Sequence, residues 1–262
     1  MSIAGFDPSG GAGILADIKT IASFGCHGVG VLTSTTFQNT EGISGAVHQS
    51  PEAVSEQMRV LWDDFDISAL KTGMLPSPEI VKAIVAFLEP RKLPWLVVDP
   101  VLKSTSGFNL SEDSIGPQVS TLFPLASIVT PNAVEAGRIA GIEVKDRLSM
   151  ERAAVKILRT GARSVLVKGG DLDGAVSVDV LVDSEGTTEY EGERIHSTST
   201  HGTGCVLSSA IACLLAQGRS VRDSVRLAKS YVAEAIRTAQ PLGRGNGPLN
   251  LEPAGVFLGD LK

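Results

Sequence analysis

Short, nearly continuous apolar runs alternate with helix-patterned stretches along almost the whole chain, and few architectures satisfy that rhythm. Residues 2–6, 28–37, 69–73, 95–98, 127–130 and 164–167 read as strands. Residues 12–24, 51–65, 78–88, 132–140, 150–160, 206–216 and 221–238 read as helices. A strand that is apolar throughout, such as Trp95-Leu96-Val97-Val98, has no face to give to water. It belongs in a parallel sheet covered on both sides. Residues 178–183 and 187–191 instead resemble an antiparallel pair around Ser184-Glu185-Gly186. The expected fold class is α/β, with residues 1–262 as a single domain. Its architecture is a three-layer αβα sandwich around a mostly parallel central sheet. In such sheets ligands bind outside the C-terminal ends of the strands.

Composition narrows the partners. A net charge of −6 argues against nucleic acid, which needs a basic face. The 43% hydrophobic content of these 262 residues is ample for a sizeable core. Cys26, Cys205 and Cys213 are too far apart to suggest a disulfide framework or a structural zinc site. No run of about 18 apolar residues occurs, and no basic segment leads into an apolar leader. A cytoplasmic protein with no membrane partner is expected.

One segment carries chemistry. His201-Gly202-Thr203-Gly204-Cys205 stands directly before an apolar helical run. Two glycines and a small hydroxyl residue leave backbone N–H groups uncovered where a helix begins. Orphan amides and the positive helix end together attract anions. Cys205 sits at the same point, where a thiolate is favoured and its pKa is expected to fall. A tight turn followed by a core cysteine would have the same sequence.

A second glycine-rich segment, Gly11-Ala12-Gly13-Ile14-Leu15-Ala16, matches the loose dinucleotide fingerprint. That fingerprint needs an acidic residue at the end of the second strand, where Thr36-Phe37-Gln38-Asn39 stands instead. The P-loop pattern, a nucleophile elbow and a His-Glu-x-x-His zinc pair are all missing.

Ordered motifs identify a relative. Ala4 to Gly13, then Ala16-Asp17-Ile18-Lys19-Thr20, resemble the opening of hydroxymethylpyrimidine/phosphomethylpyrimidine kinases. Gln38-Asn39-Thr40, Lys71-Thr72-Gly73-Met74-Leu75 and Val98-Asp99-Pro100-Val101 follow in the same order. So do Thr130-Pro131-Asn132 with Glu135, Val167-Lys168-Gly169-Gly170, Thr200 to Cys205, and Gly247-Pro248-Leu249-Asn250. The resemblance implies a ribokinase-like fold, ATP and Mg²⁺, and a place in thiamine biosynthesis. The family phosphorylates 4-amino-5-hydroxymethyl-2-methylpyrimidine and then its monophosphate. A homodimer is the expected assembly.

The same resemblance implies roles. Gly202, Thr203 and Gly204 would hold the migrating phosphoryl group, and Cys205 would take the substrate's proton. Asp17 and Gln38 look like the pyrimidine readers, with Gly5 and Met74 along the same pocket. Lys168, Asn132 and Thr203 would face ATP. Glu135 and Asp99 would support Mg²⁺, although Asn132 and Glu135 also fit a plain capping box. His201 is expected to be structural.

The chain also departs from the pattern. Phe6 replaces a small polar residue, Lys103 an apolar one and Phe108 an acidic one. Asp171 and Asn246 stand where histidine is common. Lys103 is expected in the substrate pocket, favouring anionic substrates. Two rival functions follow: a pyridoxal kinase, or a non-catalytic pyrimidine-binding regulator on the same fold.

Overall fold

The structure is a computed structural model that describes residues 1–102, 112–172 and 174–252. The chain begins with β1 (Ser2–Phe6), α1 (Gly13–Ser23), β2 (Gly30–Gln38) and β3 (Ile43–His48). It continues through α2 (Pro51–Asp64), β4 (Ala69–Thr72), α3 (Pro78–Leu88) and β5 (Trp95–Val98). Short helical turns, among them α4 (Ile115–Pro117), precede β6 (Ile128–Val129), α5 (Ala133–Ala140), α6 (Arg147–Leu158) and β7 (Val165–Lys168). The hairpin of β8 (Val176–Asp183) and β9 (Gly186–Glu193) leads to α7 (Thr203–Ala216) and α8 (Val221–Arg237).

These strands form one sheet, ordered β3-β2-β1-β4-β5-β6-β7-β8-β9. Neighbours from β2 to β7 are parallel, while β3, β8 and β9 pair antiparallel at the two edges. Alternate residues of each strand feed different layers, because successive side chains point to opposite faces. Val165 and Val167 belong to the same apolar layer as Met58 of α2, Ile84 of α3 and Ile157 of α6. Leu166 between them belongs to the opposite layer, with Ile21 of α1, Ile211 of α7 and Tyr231 of α8. The result is the expected three-layer αβα sandwich. Each fully buried Leu or Ile contributes roughly 1.5–3 kcal/mol, so the strand ends that carry the site are held from both sides.

Local chemistry sets the helix starts. Ser50 and Ser77 cap α2 and α3, accepting from the amides of Ala53 and Ile80, with proline in each first turn. Helix α6 begins at Arg147, ahead of the expected 150, because Asp146 accepts from the Ser149 amide. Helix α7 begins at Thr203 instead of 206, with Gly202 as its N-cap. Strand β3 was not expected: its six residues, Ile-Ser-Gly-Ala-Val-His, contain no apolar run and lie half-exposed. The turns between β5 and β6 were not expected either.

The strand order positions a ligand site. Strand β1 lies between β2 and β4, so the chain leaves it toward both sides of the sheet. A crevice opens at such a reversal, outside the C-terminal strand ends. Among the described residues no helix is long and apolar enough to cross a membrane.

Candidate active site

A cavity of about 1090 Å³ lies over the C-terminal ends of β1, β4 and β7 and extends along β9 toward α8. The first turn of α7 forms part of its wall. Gly202 caps that helix at φ 86°, and a Cβ there would stand 1.9 Å from the Gly11 carbonyl oxygen. Only glycine fits, so the two glycine-rich segments lock together. The Thr203 amide donates to Thr200 O at 3.3 Å, and the Val206 amide to Gly202 O at 2.9 Å. Between them, the amides of Gly204 and Cys205 have no acceptor among the described residues. The anion cradle is therefore narrower than expected from Gly202, Thr203, Gly204 and Cys205 together.

Beside it stands an ion pair. Lys168, at the end of β7, donates from Nζ to Asp99 Oδ1 at 2.8 Å. Thr130 Oγ1 donates to the same oxygen at 3.0 Å. A Cβ on Gly204 would lie 2.9 Å from Lys168 Nζ, so this glycine lets the cation approach the helix start. Burial works against charge on Asp99, but Lys168 and Lys71 hold its carboxyl below the usual range. Burial likewise opposes the Lys168 charge, and Asp99 and Glu135 keep its pKa raised.

Asn132 and Glu135 form a capping box at α5. The Glu135 amide donates to Asn132 Oδ1 and the Asn132 amide to Glu135 Oε2, each at 2.8 Å. The capping interpretation is thus realised, and both residues also line the cavity. Burial pushes the Glu135 carboxyl up to about 7, with Asp99 adding to the rise and Lys168 opposing it. No cluster of three or more His, Cys, Asp or Glu gathers for a metal among the described residues. Two neighbouring carboxylates, one disfavoured as an anion, suit Mg²⁺, which keeps waters and phosphate oxygens as its other ligands.

Cys205 lines the cavity, half-buried. Its expected low pKa is overturned: burial pushes the thiol up to about 11, and the opposing pull of Lys71 and the Gly13 amide does not compensate. Proximity to a helix N-terminus does not outweigh the loss of water.

The other end of the cavity is lined by Met74, Gln38, His201 and Asp7. Met74, only 7% exposed, packs against Gly5. Thr36 Oγ1 donates to Gln38 Oε1 at 3.1 Å, and Gln38 Nε2 lies 3.0 Å from His201 Nε2. His201 Nε2 in turn sits 2.7 Å from Asp7 Oδ2. Asp7 also accepts from the amides of Ser9 and Ala12, tying the first glycine-rich turn to the second. Burial opposes its charge, yet hydrogen bonds from His201 and Ser9 lower its pKa.

Asp17, expected as a pyrimidine reader, is fully buried and set back from the cavity wall. Its carboxylate is taken by Lys71 Nζ and the hydroxyls of Ser2 and Ser209. Lys71 reaches the wall in its place. Lys71 and Asp7 were missed as site residues. The available signal was a lysine inside an otherwise apolar strand, which must find a partner. Lys103 and Phe108 lie outside the described residues.

Comparison with known proteins places this geometry in context. The sequence matches the phosphomethylpyrimidine kinase family model over residues 7–250. It is 45% identical over 251 residues to the thiamine biosynthesis bifunctional protein ThiED of Geobacter sulfurreducens, covering 95% of this chain and 51% of that protein. The chain thus spans about half the length of that relative. It is 44% identical to the hydroxymethylpyrimidine/phosphomethylpyrimidine kinase of Streptomyces coelicolor, covering 95% of this chain and 93% of that one. A solved pyridoxal kinase from Staphylococcus aureus, in complex with AMP-PCP and pyridoxal, superimposes with a TM-score of 0.88 at 30% identity, covering 96% of this chain and 92% of that one.

Proposed function

The chain belongs to the phosphomethylpyrimidine kinase family, and on that premise we propose that its cavity carries out two successive phosphorylations in thiamine biosynthesis. ATP supplies the phosphoryl group. The acceptors are 4-amino-5-hydroxymethyl-2-methylpyrimidine and then its monophosphate. The fold is ribokinase-like. One observation carries the reading most: two unclaimed amides at the start of α7 stand beside a lysine that reaches the cavity.

Phosphoryl transfer needs positioning and charge neutralisation more than covalent help from the protein. The Gly204 and Cys205 amides suit the oxygens of the migrating group, and Lys168 suits the charge between donor and acceptor. Asn132, bridged to Lys168 along the backbone, would face ATP beside that lysine. Glu135 and Asp99 would hold Mg²⁺ through water, and the ion would neutralise phosphate charge. Gln38 offers both a donor and an acceptor to an aminopyrimidine edge. Lys103 is the residue proposed to select for anionic substrates.

Cys205 is the base for the alcohol step. With its thiol near 11, the thiolate fraction rises tenfold per pH unit through the neutral range. The second acceptor is a phosphate oxygen, already ionised, and needs no base. Wild-type kcat/KM for the alcohol is expected to climb from pH 7 to 9 while that for the monophosphate stays nearly flat. Cys205→Ala should abolish the climb and reduce alcohol phosphorylation by about 10²–10⁴-fold. Equal losses on both substrates would remove Cys205 as the base.

A second reading, phosphorylation of pyridoxal, is favoured by the likeness to a pyridoxal kinase. Parallel kcat/KM values for the pyrimidine alcohol, its monophosphate and pyridoxal decide between the two. A cytoplasmic homodimer is the proposed setting. Its support is the edge hairpin, where Phe37 is 54% and Val47 56% exposed. The two share one face of the β2–β3 pair. Sedimentation of the full chain tests it, and a monomer would refute it.

A further inference from the structure

Gln38, His201 and Asp7 form a chain of polar contacts on the cavity wall, and its donors and acceptors can be counted. Asp7 accepts on both oxygens. Oδ1 takes the Ser9 amide at 2.9 Å and the Ser9 hydroxyl at 2.7 Å, and Oδ2 takes the Ala12 amide at 3.0 Å. A carboxylate claimed by so many donors is ionised and offers only lone pairs. His201 Nε2, 2.7 Å from Oδ2, must therefore carry a proton. Gln38 Nε2 lies 3.0 Å from that same nitrogen, and a carboxamide nitrogen is a donor only. Two donors then face each other. The far end of the carboxamide is in conflict too. Thr36 Oγ1 has one proton, and Phe6 O at 2.9 Å and Gln38 Oε1 at 3.1 Å both claim it.

One half-turn of the Gln38 carboxamide removes both conflicts, because its oxygen and nitrogen exchange places within the same volume. Oε1 then accepts the second branch of the His201 Nε2 proton, whose first branch goes to Asp7. Nε2 donates to Thr36 Oγ1, which keeps its own proton for Phe6 O. We propose, given that Gln38 meets the pyrimidine edge, that His201 fixed by Asp7 is a positioning residue. It holds Gln38 in this turned orientation and so makes the site select 4-aminopyrimidines over 4-oxopyrimidines.

The selection follows from polarity. The turned carboxamide keeps a spare Nε2 proton on the Thr36 side and a spare Oε1 lone pair on the His201 side. A 4-aminopyrimidine edge offers the complement, a ring-nitrogen acceptor beside an amino donor. A 4-oxopyrimidine edge is reversed, with a ring N–H donor beside a carbonyl acceptor. A carboxamide free to turn matches either edge, whereas a held one matches only one. The substrate cannot turn over to restore the match, because its hydroxymethyl group must face the start of α7. A mismatch sets donor against donor and acceptor against acceptor. His201 is itself held. It is only 7% exposed, a Cβ on Gly11 would collide with its Cδ2, and its amide donates to Gly247 O at 3.0 Å.

The test measures kcat/KM of the full chain for the 4-amino alcohol and for its 4-oxo analogue. Wild type should prefer the amino substrate by about 10²-fold or more. His201→Phe keeps a ring against Gly11 but no donor, and should cut that preference to below about tenfold, mainly through KM. His201→Gln returns an N–H to the same region and should restore most of the preference. A wild type without the preference, a preference kept in His201→Phe, or one lost equally in His201→Gln would overturn the proposal. If Gln38→Ala leaves both substrates unaffected, it is the role of Gln38 as reader that fails. The orientation is read separately by NMR on the isotope-labelled, substrate-free chain. The Gln38 Nε2 protons should show nuclear Overhauser contacts to the Thr36 side chain and none to the His201 ring. The reverse pattern would overturn the turned orientation whatever the kinetics show, and it needs no variant to fold.

Discussion

Two buried aspartate–lysine pairs flank the start of α7, and they are built to different degrees of completion. Asp17 accepts Lys71 Nζ on both oxygens, at 2.9 and 2.8 Å, and also the hydroxyls of Ser2 at 2.6 Å and Ser209 at 2.8 Å. Neither side chain exceeds 1% exposure. Asp99 takes Lys168 and Thr130 on Oδ1, while among the described residues Oδ2 takes only Ser208, at 3.4 Å. Lys168 keeps 14% of its side chain exposed. The chemistry is the same, but the first pair is saturated and the second has capacity left. A saturated buried pair holds structure, whereas an unsaturated one beside a cavity has something to offer a ligand.

The contrast is broken most directly by removing Asp17. Asp17→Ala leaves Lys71 as an uncompensated buried cation and should cost about 3–5 kcal/mol in urea unfolding. Asp17→Leu combined with Lys71→Met should recover most of that loss. A cost below about 1 kcal/mol would mean that the closed pair is not structural.

Lys168→Met tests the open pair. It should reduce kcat/KM by about 10²–10³-fold, the scale for a charge aimed at a transition state. Its effect on unfolding should be smaller than that of Asp17→Ala. Activity within a few-fold of wild type would exclude Lys168 from phosphate contact.

Gln38→Ala tests the end of the cavity that holds Met74 and His201. We expect roughly 1–3 kcal/mol of lost discrimination, seen as poorer kcat/KM for the pyrimidine with ATP KM little changed. A weakened ATP KM instead would place Gln38 outside base recognition.

A further expected effect is in pH. Glu135 titrates near 7 in the folded protein, above its ordinary 4.5. The folded state therefore binds more protons than the unfolded chain between those values. This contribution to stability is fully present below 4.5 and is lost as pH rises through 7. Comparing urea unfolding of wild type and Glu135→Gln from pH 4 to 8 should show a difference of roughly 3 kcal/mol across that window. Parallel curves would show that Glu135 is not held protonated.

The legibility of the site varied with how it is assembled. The turn from His201 to Cys205 could be read because consecutive residues build it, and its amides depend only on local backbone. Asn132 and Glu135 were readable for the same reason, three positions apart on one helix start. The partners of Asp17 were not. Ser2, Lys71 and Ser209 come from β1, β4 and α7, and no spacing in the chain announces that they meet. The family resemblance pointed to Asp17 as a reader, yet Lys71 is the one at the cavity wall. Strand β3 was missed because an exposed edge strand has no apolar run to betray it.

By itself, the sequence determined the alternation of strands and helices, the two covered faces of the sheet and the glycine-dependent start of α7. Those follow from periodicity and from which residues tolerate a given φ, and both are local. Only the tertiary structure decided the state of each charge. Cys205 sits at a helix N-terminus, where sequence logic favours a thiolate, but it is half-buried at the cavity wall, and desolvation keeps its proton on. Asp99 and Glu135 share a neighbouring lysine, yet one is held charged and the other lifted toward neutrality. Loss of water and the pull of neighbouring charges act through space, and the distances that set them are fixed only when the strands are laid side by side.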